Sequence, residues 1–130
     1  MSDNNFYKYN WSGKKILIVE DDISSTFFLK EVLEETGVSL EFATDGLTAL
    51  RLCKEDETIN LVLMDIQIPF LNGFETTSQI KAIRPNLPII AQTAYAFIDD
   101  REKSLQVGCD DYISKPIDPF ELLDRLSLYM

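Results

Sequence analysis

The 130-residue sequence contains no histidine and only two cysteines. Histidine is the most frequent metal ligand and general base in proteins, so its absence leaves these tasks to other side chains. Cys53 and Cys109 form neither a CxxC pair nor part of a ligand cluster, and we expect both to be small packing residues. The sequence therefore argues against a redox function, and it restricts a metal site to oxygen ligands.

Long apolar runs and an excess of positive charge are also missing. No apolar stretch approaches the ~20 residues that span a bilayer, and the amino terminus does not pair a basic region with an apolar one. We therefore expect a cytoplasmic protein without membrane contact. The chain has 22 acidic and 12 basic residues, for a formal net charge of −10. Such a surface repels phosphate backbones, so nucleic acid is not an expected partner.

The first 14 residues differ in pattern from the rest of the chain. They combine polar residues with Trp11, which is the only tryptophan, and they show no sustained period. This pattern predicts a tail or linker over residues 1–14 in which Trp11 packs. Residues 15–130 have the size of one domain with a single core.

After residue 15, short apolar runs alternate with stretches that carry apolar residues at helical spacing. Gly37 and Gly108 follow two of the predicted helices, as glycine does at many helix ends. The last helix is expected to begin with Asp118 as N-cap, Pro119 at the first position and Glu121 at the third. The predicted strands lie at 16–19, 40–43, 61–64, 87–92 and 112–114, and the last two helices lie at 98–107 and 120–129.

Five alternating strand and helix units with continuously apolar strands predict a parallel sheet covered by helices on both faces. The expected fold is a doubly wound α/β sandwich of the flavodoxin-like (βα)5 type, with five strands in the order 2-1-3-4-5. In this order the first and third strands are neighbours, and ligands bind beyond their carboxyl ends.

Polar side chains follow four of the predicted strands. Carboxylates clustered at one edge repel each other by roughly 4 kcal/mol per close pair at an intermediate dielectric, so the cluster needs a cation. An all-oxygen site favours Mg²⁺, with Mn²⁺ or Ca²⁺ as possible substitutes. A lysine and a threonine hydroxyl at the same edge suit an anion with three equatorial oxygens, which points to phosphoryl transfer. The residues that follow these strands are Glu20, Asp21 and Asp22, then Asp65, then Thr93, then Lys115.

Asp65 is the expected nucleophile of this cluster. It alone ends an apolar strand between the acidic turn and the strands that end in Thr93 and Lys115. A carboxylate can attack phosphorus directly and form an acyl phosphate. Because the chain has no histidine, the phosphoryl group has to come from another donor.

Four motifs, each after its own predicted strand, resemble the receiver domains of response regulators in two-component signal transduction. The resemblance spans residues 15–129 and is especially close to the receivers of hybrid sensor histidine kinases, so that residues 6–15 read as part of a linker. The motifs are Ile-Leu-Ile-Val-Glu-Asp-Asp at 16–22, Leu-Met-Asp-Ile-Gln-Ile-Pro at 63–69, Gln-Thr-Ala at 92–94 and Tyr-Ile-Ser-Lys-Pro at 112–116.

The resemblance implies a role for each residue around the phosphoacceptor Asp65. Thr93 and Lys115 would bind the phosphoryl oxygens, and Tyr112 would be an aromatic switch. Glu20, where the family more often has aspartate, would bind the metal. The other implied metal ligands are Asp21, Asp65 and the main-chain carbonyl of Gln67. The implied neighbours of the phosphate are Ala94, Tyr95 and Pro116. The resemblance also implies that the peptide bond between Lys115 and Pro116 is cis.

The resemblance also implies partners. A histidine kinase or a phosphotransfer protein would donate the phosphoryl group from phosphohistidine, and a larger hybrid kinase could be the parent chain. Phosphorylation would switch the face formed by the fourth helix, the fifth strand and the fifth helix, and this face could form a homodimer. The domain would catalyse its own phosphorylation and dephosphorylation without turning over an external substrate.

Three other functions remain open from the sequence. A phosphatase acting through an aspartyl phosphate would typically carry an acid two residues after the nucleophile, where this chain has Gln67. A flavodoxin-like electron carrier is disfavoured because Glu20 to Asp22 would repel a flavin phosphate. A receiver that binds partners without phosphorylation is disfavoured by the intact set of site residues. Asp22 itself is expected to be a solvated turn residue.

Overall fold

The structure is a computed structural model that describes residues 8–68, 70–94 and 98–130. Within these residues, five parallel strands form one sheet in the order β2-β1-β3-β4-β5, which confirms the predicted fold. The strands are β1 (Lys15–Val19), β2 (Ser39–Ala43), β3 (Leu61–Asp65), β4 (Ile89–Thr93) and β5 (Asp111–Ser114). The helices are α1 (Ile23–Glu34), α2 (Gly46–Glu55), α3 (Gly73–Ile83), α4 (Ile98–Gln106) and α5 (Pro119–Ser127).

The three central strands are almost entirely buried because helices cover both faces of the sheet. Side chains alternate between the two faces, so Ile16 and Ile18 point to one core layer while Leu17 and Val19 point to the other. The first layer includes residues of α1 and α5, and the second includes residues of α2 and α3. Cys53 and Cys109 are buried in the second layer as free thiols, as expected for packing residues.

Side chains at the helix starts explain several loop conformations. The carboxylate of Asp118 accepts hydrogen bonds from the peptide N–H groups of Phe120 and Glu121, which confirms the predicted N-cap of α5. Asp22 caps α1 in the same way, because its side chain accepts from the N–H of Ser25 at 2.8 Å. Asp22 is exposed, as expected for a solvated turn residue. Its role as the N-cap of α1 was not predicted from the sequence.

β4 begins two residues later than predicted. The N–H of Leu87 bonds to the carbonyl of Arg84 in a turn, and Pro88 has no N–H to donate. The ladder with β3 therefore starts with the carbonyl of Pro88, which accepts from Val62 at 2.9 Å.

Residues 8–14 pack against the domain. The Trp11 side chain is buried in the α1 and α5 layer, and its peptide N–H donates to the carbonyl of Thr36 at 2.7 Å. The Tyr9 hydroxyl donates to the carboxylate of Asp124, and Lys14 Nζ donates to the carbonyl of Met130. The domain boundary at residue 15 stays a prediction. Trp11 lies before this boundary, but its side chain is part of the core formed by residues that follow it.

In the part of the chain that the structure describes, no helix has both the length and the apolar character that crossing a bilayer requires.

Candidate functional site

The predicted site residues lie at the carboxyl edge of the sheet. Backbone hydrogen bonds continue past the strand ends and hold the residues that follow. The N–H of Glu20 donates to the carbonyl of Ala43 at 2.9 Å, and the N–H of Lys115 donates to the carbonyl of Thr93 at 2.8 Å. The order of the strands thus places Glu20, Asp65, Thr93 and Lys115 side by side, as the sequence predicted.

Lys115 is the cation of the site. Its Nζ lies 3.0 Å from Oε1 of Glu20 and 3.3 Å from Oδ2 of Asp65. Burial lowers the pKa of Lys115, but the hydrogen bond to Glu20 and the charge of Asp65 outweigh it and raise the pKa overall. Lys115 therefore stays charged and draws the two carboxylates together.

Glu20 is almost completely buried beside Asp65. Burial, the hydrogen bond with Asp65 and the charge of Asp65 raise the pKa of Glu20 to about 7, although Lys115 acts in the opposite direction. One cation is thus insufficient to neutralise the cluster. This charge imbalance is what a metal ion would correct.

The carboxylates of Glu20, Asp21 and Asp65 have the spacing of a metal site. One oxygen of each lies within 4.8 Å of the corresponding oxygens of the others. Asp21 is exposed to solvent, whereas Glu20 and Asp65 are buried, so the cluster opens toward water on one side. An open cluster of hard oxygen donors fits Mg²⁺, which keeps several waters in its coordination shell.

Asp65 is fixed from two directions. Its Oδ1 accepts a hydrogen bond from the peptide N–H of Gln67 at 3.0 Å, and its Oδ2 faces Lys115. Asp65 is 5% exposed, so a reacting group can approach only from the open side of the cluster. The role of the Gln67 carbonyl as a metal ligand stays a prediction.

Gly73 lies beside the site, although its place before helix-spaced apolar residues is compatible with an ordinary turn. A Cβ atom at this position would lie 2.6 Å from the carbonyl oxygen of Asp65 and 2.6 Å from Cα of Ile66. The start of α3 can therefore approach the end of β3 only because residue 73 has no side chain. The available signal in the sequence was the place of Gly73 directly before Phe74, where a stretch with apolar residues at helical spacing begins.

The remaining predicted residues occupy the β4 and β5 side of the edge. Thr93 is buried at the end of β4, and Ala94 after it is exposed. Tyr112 is half-buried, with the guanidinium carbon of Arg101 5.3 Å from its ring centroid. The peptide bond between Lys115 and Pro116 is cis, as the resemblance implied. Tyr95, the other predicted neighbour of the phosphate, lies outside the described residues.

The sequence model of response regulator receiver domains matches residues 16–127. The chain belongs to the response regulator receiver family. This receiver is 40% identical over 114 residues to hybrid signal transduction histidine kinase I of Dictyostelium discoideum, and the match covers 82% of the chain but 7% of that kinase. It is also 40% identical over 112 residues to a CpxR homologue of Haemophilus influenzae, over 86% of the chain and 48% of that regulator. The receiver thus spans half or less of the length of these relatives.

Solved receivers share the same architecture. The receiver domain of sensor histidine kinase PA1611 from Pseudomonas aeruginosa, solved with magnesium in its active-site cleft, is 35% identical, with a TM-score of 0.83 over 91% of this chain and 98% of that one. A second match is a chain in the co-crystal structure of the Saccharomyces cerevisiae phosphotransfer protein Ypd1 with the receiver domain of Ssk1. The two chains are 28% identical, with a TM-score of 0.84 over 91% of this chain and 89% of that chain. The family and fold expected from the four motifs are confirmed.

Proposed function

We propose that this receiver accepts a phosphoryl group on Asp65 from the phosphohistidine of a histidine kinase or a phosphotransfer protein. The observation that carries the proposal is the contact of Lys115 Nζ with both Asp65 and Glu20, next to the carboxylate of Asp21. A buried carboxylate held by a cation and a peptide N–H has one defined position, as a nucleophile requires. The arrangement supports direct attack by Asp65 on phosphorus.

In the proposed reaction, a carboxylate oxygen of Asp65 forms the new bond to phosphorus. The bond between phosphorus and the donor imidazole nitrogen breaks, and its electron pair stays on that nitrogen. Lys115 then holds a phosphoryl oxygen through its ammonium group, and the hydroxyl of Thr93 donates to another. The product is an acyl phosphate on Asp65.

Glu20, Asp21 and Asp65 would hold Mg²⁺ together with the main-chain carbonyl of Gln67. The oxygen-only donor set, the spacing of the carboxylates and the raised pKa of Glu20 all support this assignment. When bound, Mg²⁺ neutralises charge on the phosphoryl oxygens. The magnesium in the cleft of the PA1611 receiver supports the same choice of ion.

The acyl phosphate is proposed to be a signal rather than an intermediate of turnover. Hydrolysis by water would end the signal, and Gln67 and Tyr95 would set its lifetime by flanking the path of that water. In that step water attacks phosphorus, the bond between phosphorus and the Asp65 oxygen breaks, and the products are the free Asp65 carboxylate and inorganic phosphate. The domain therefore catalyses only its own phosphorylation and dephosphorylation.

The proposed output is the face formed by α4, β5 and α5. Phosphorylation adds about −1.5 to −2 charge and new acceptor oxygens, which can draw Thr93 toward the phosphate. Tyr112 would then turn inward and leave Arg101. The proposed partners are the phosphodonor, a parent hybrid kinase and a second copy bound through this face, all in the cytoplasm.

Phosphorylation with acetyl phosphate and Mg²⁺, followed by intact-mass measurement, tests the proposal. The wild type should gain one phosphoryl group that hydroxylamine removes, because hydroxylamine cleaves acyl phosphates. Asp65→Asn should gain none, since its amide cannot supply the attacking oxygen. Asp22→Asn is the matched control, because asparagine also caps helices well and residue 22 lies outside the carboxylate cluster. Hydroxylamine-resistant labelling of Asp65→Asn at the wild-type level would refute the assignment.

A further inference from the structure

Three large apolar side chains are exposed at the carboxyl edge of the sheet, and we call them the apolar edge patch. Ile23 and Phe27, on the first two turns of α1, are 85% and 64% exposed, and Phe70, in the loop between β3 and α3, is 84% exposed. The two α1 residues line a groove of about 270 Å³ whose other walls include Glu20 and Asp21. The patch therefore borders the residues that would hold the metal.

The backbone of Phe70 is held in an unfavourable conformation. Its φ is 69°, in the left-handed region that bulky residues rarely adopt. The loop around it is fixed on two sides. The N–H of Gly73 donates to the carbonyl of Ile66 at 3.0 Å, and the start of α2 abuts the loop, because a Cβ atom at Gly46 would lie 2.2 Å from the carbonyl oxygen of Leu71. The fold thus presents the Phe70 ring to solvent in one place.

A protein that delivers a phosphoryl group to Asp65 has to cover this edge. An interface of standard size buries about 800 Å² on each partner, which corresponds to a disc of roughly 16 Å radius. Three residues of chain span at most about 11 Å, so Phe70 lies within that distance of Gly73, which abuts the carbonyl of Asp65. Ile23 follows Asp21 by two residues. A disc centred on Asp65 therefore includes the apolar edge patch.

We propose that the apolar edge patch is the docking surface for the phosphodonor, a protein with apolar side chains around its phosphohistidine. Phe27 and Phe70 set the specificity of the receiver for that donor. This inference rests on the proposed transfer to Asp65. Exposed aromatic rings become binding hot spots when they enter an apolar pocket of a partner, and a loop that is already fixed loses little conformational entropy. Charge favours a protein over an anionic lipid surface, because the chain has a net charge of −10 and the patch adjoins Asp21 and Asp22.

The test compares a protein donor with a small-molecule donor. The protein donor is phosphorylated Ypd1, because this phosphotransfer protein has been crystallised with a receiver domain. Phe70→Asn suits the left-handed backbone, which asparagine adopts readily, and Phe27→Gln keeps a good helix former in α1. Each variant should accept phosphate from Ypd1 with a rate constant at least roughly tenfold lower than that of the wild type. Acetyl phosphate needs no docking surface and should label both variants as it labels the wild type.

Leu128→Asn is the matched control. Leu128 is 73% exposed, but it lies at the opposite edge of the sheet, where Lys14 before β1 contacts the carbonyl of Met130. This variant should react with phosphorylated Ypd1 like the wild type. Titration of the ¹⁵N-labelled wild type with unphosphorylated Ypd1 should give saturable NMR shifts in residues 20–30 and 70–74.

Wild-type rates with phosphorylated Ypd1 in both Phe70→Asn and Phe27→Gln would overturn the proposal, as would an equal loss in Leu128→Asn. The proposal also fails if Ypd1 neither binds nor phosphorylates the wild type although acetyl phosphate labels Asp65. A wild-type dimer in sedimentation experiments that Phe70→Asn abolishes would make a second copy the occupant instead. If acetyl phosphate fails to label the wild type, the proposed function is lost and this inference with it, so the two failures have different readouts.

Discussion

The ammonium group of Lys115 lies 3.0 Å from the carboxylate of Glu20, although the two residues are 95 positions apart in the sequence. This contact joins the end of β5 to the end of β1 across the two strands between them. It covers the inner side of the carboxylate cluster and leaves Asp21 at the open side. A second cation can therefore enter only where Asp21 is exposed.

Mg²⁺ should stabilise the wild-type domain against unfolding because it relieves the repulsion in this cluster. At a concentration 100-fold above the Kd, the gain should be about 2.7 kcal/mol. The double variant Glu20→Gln and Asp21→Asn should show no gain, because two of the three carboxylates are lost. Urea unfolding with and without Mg²⁺ measures both values, and Asp22→Asn should respond like the wild type. An equal gain in the double variant would rule out this metal site.

Gly73→Ala should lower both stability and phosphorylation. The added methyl group would lie 2.6 Å from the carbonyl oxygen of Asp65, so α3 must move away from the end of β3. We expect a loss of roughly 1–3 kcal/mol in the free energy of unfolding, as for other overpacked sites. Acetyl phosphate labelling should also become slower, because Asp65 shifts with the backbone. Ser78→Ala, at an exposed position of the same helix, is the control and should change neither quantity.

Asp56 should contribute stability that depends on pH. Its hydrogen bonds with Lys15 and Thr58 lower its pKa to about 2, below the value near 3.9 expected in the unfolded chain. A depressed carboxyl pKa stabilises the fold above the unfolded pKa, and this contribution disappears as the pH falls through the folded pKa. The destabilisation caused by Asp56→Asn should therefore be largest above pH 4 and should shrink toward pH 2. Urea unfolding across this range, repeated with Lys15→Met, tests the pairing, because without Lys15 the pH dependence should become smaller, while the hydrogen bonds from Thr58 preserve the rest.

Tyr112→Ala should still be phosphorylated on Asp65 but should transmit less of the change to α4 and α5. The ring of Tyr112 packs under Arg101 of α4, a contact worth roughly 0.5–1 kcal/mol at an exposed site. Without the ring, the contact between residue 112 and Arg101 is already absent, so phosphorylation cannot break it. Amide exchange over residues 98–125, before and after phosphorylation, measures the response. Tyr112→Phe keeps the ring and should respond like the wild type, whereas a full response in Tyr112→Ala would make Tyr112 a packing residue only.

The sequence predicted where the candidate site residues lie because each of them follows an apolar strand. Once the strand order is known, residues such as Asp65 and Lys115 must meet at one edge, whatever the details of packing. The N-cap of α5 was predictable for a similar reason, since Asp118 and Pro119 form a local pattern.

Features that depend on contacts between distant segments were not predictable from the sequence. Trp11 gave no periodic signal, because its burial depends on α1 and α5 rather than on its neighbours. Gln92 lies in a strand that reads as apolar and buried, and only the structure reveals that its amide has no hydrogen-bond partner in the described parts of the chain. Gly73 could have been a turn residue, and only the distance to Asp65 shows that a side chain is excluded.

The burial of Trp11 gives the protein an intrinsic fluorophore whose surroundings are separate from the chemistry. Trp11 bonds to Thr36 near the amino ends of the strands, whereas Asp65 lies at their carboxyl edge. Its emission should change when the core around it opens to water, and it should stay constant when only the opposite edge gains a metal or a phosphoryl group. Emission spectra can thus separate variants that have lost their fold from variants that have lost only their reactivity.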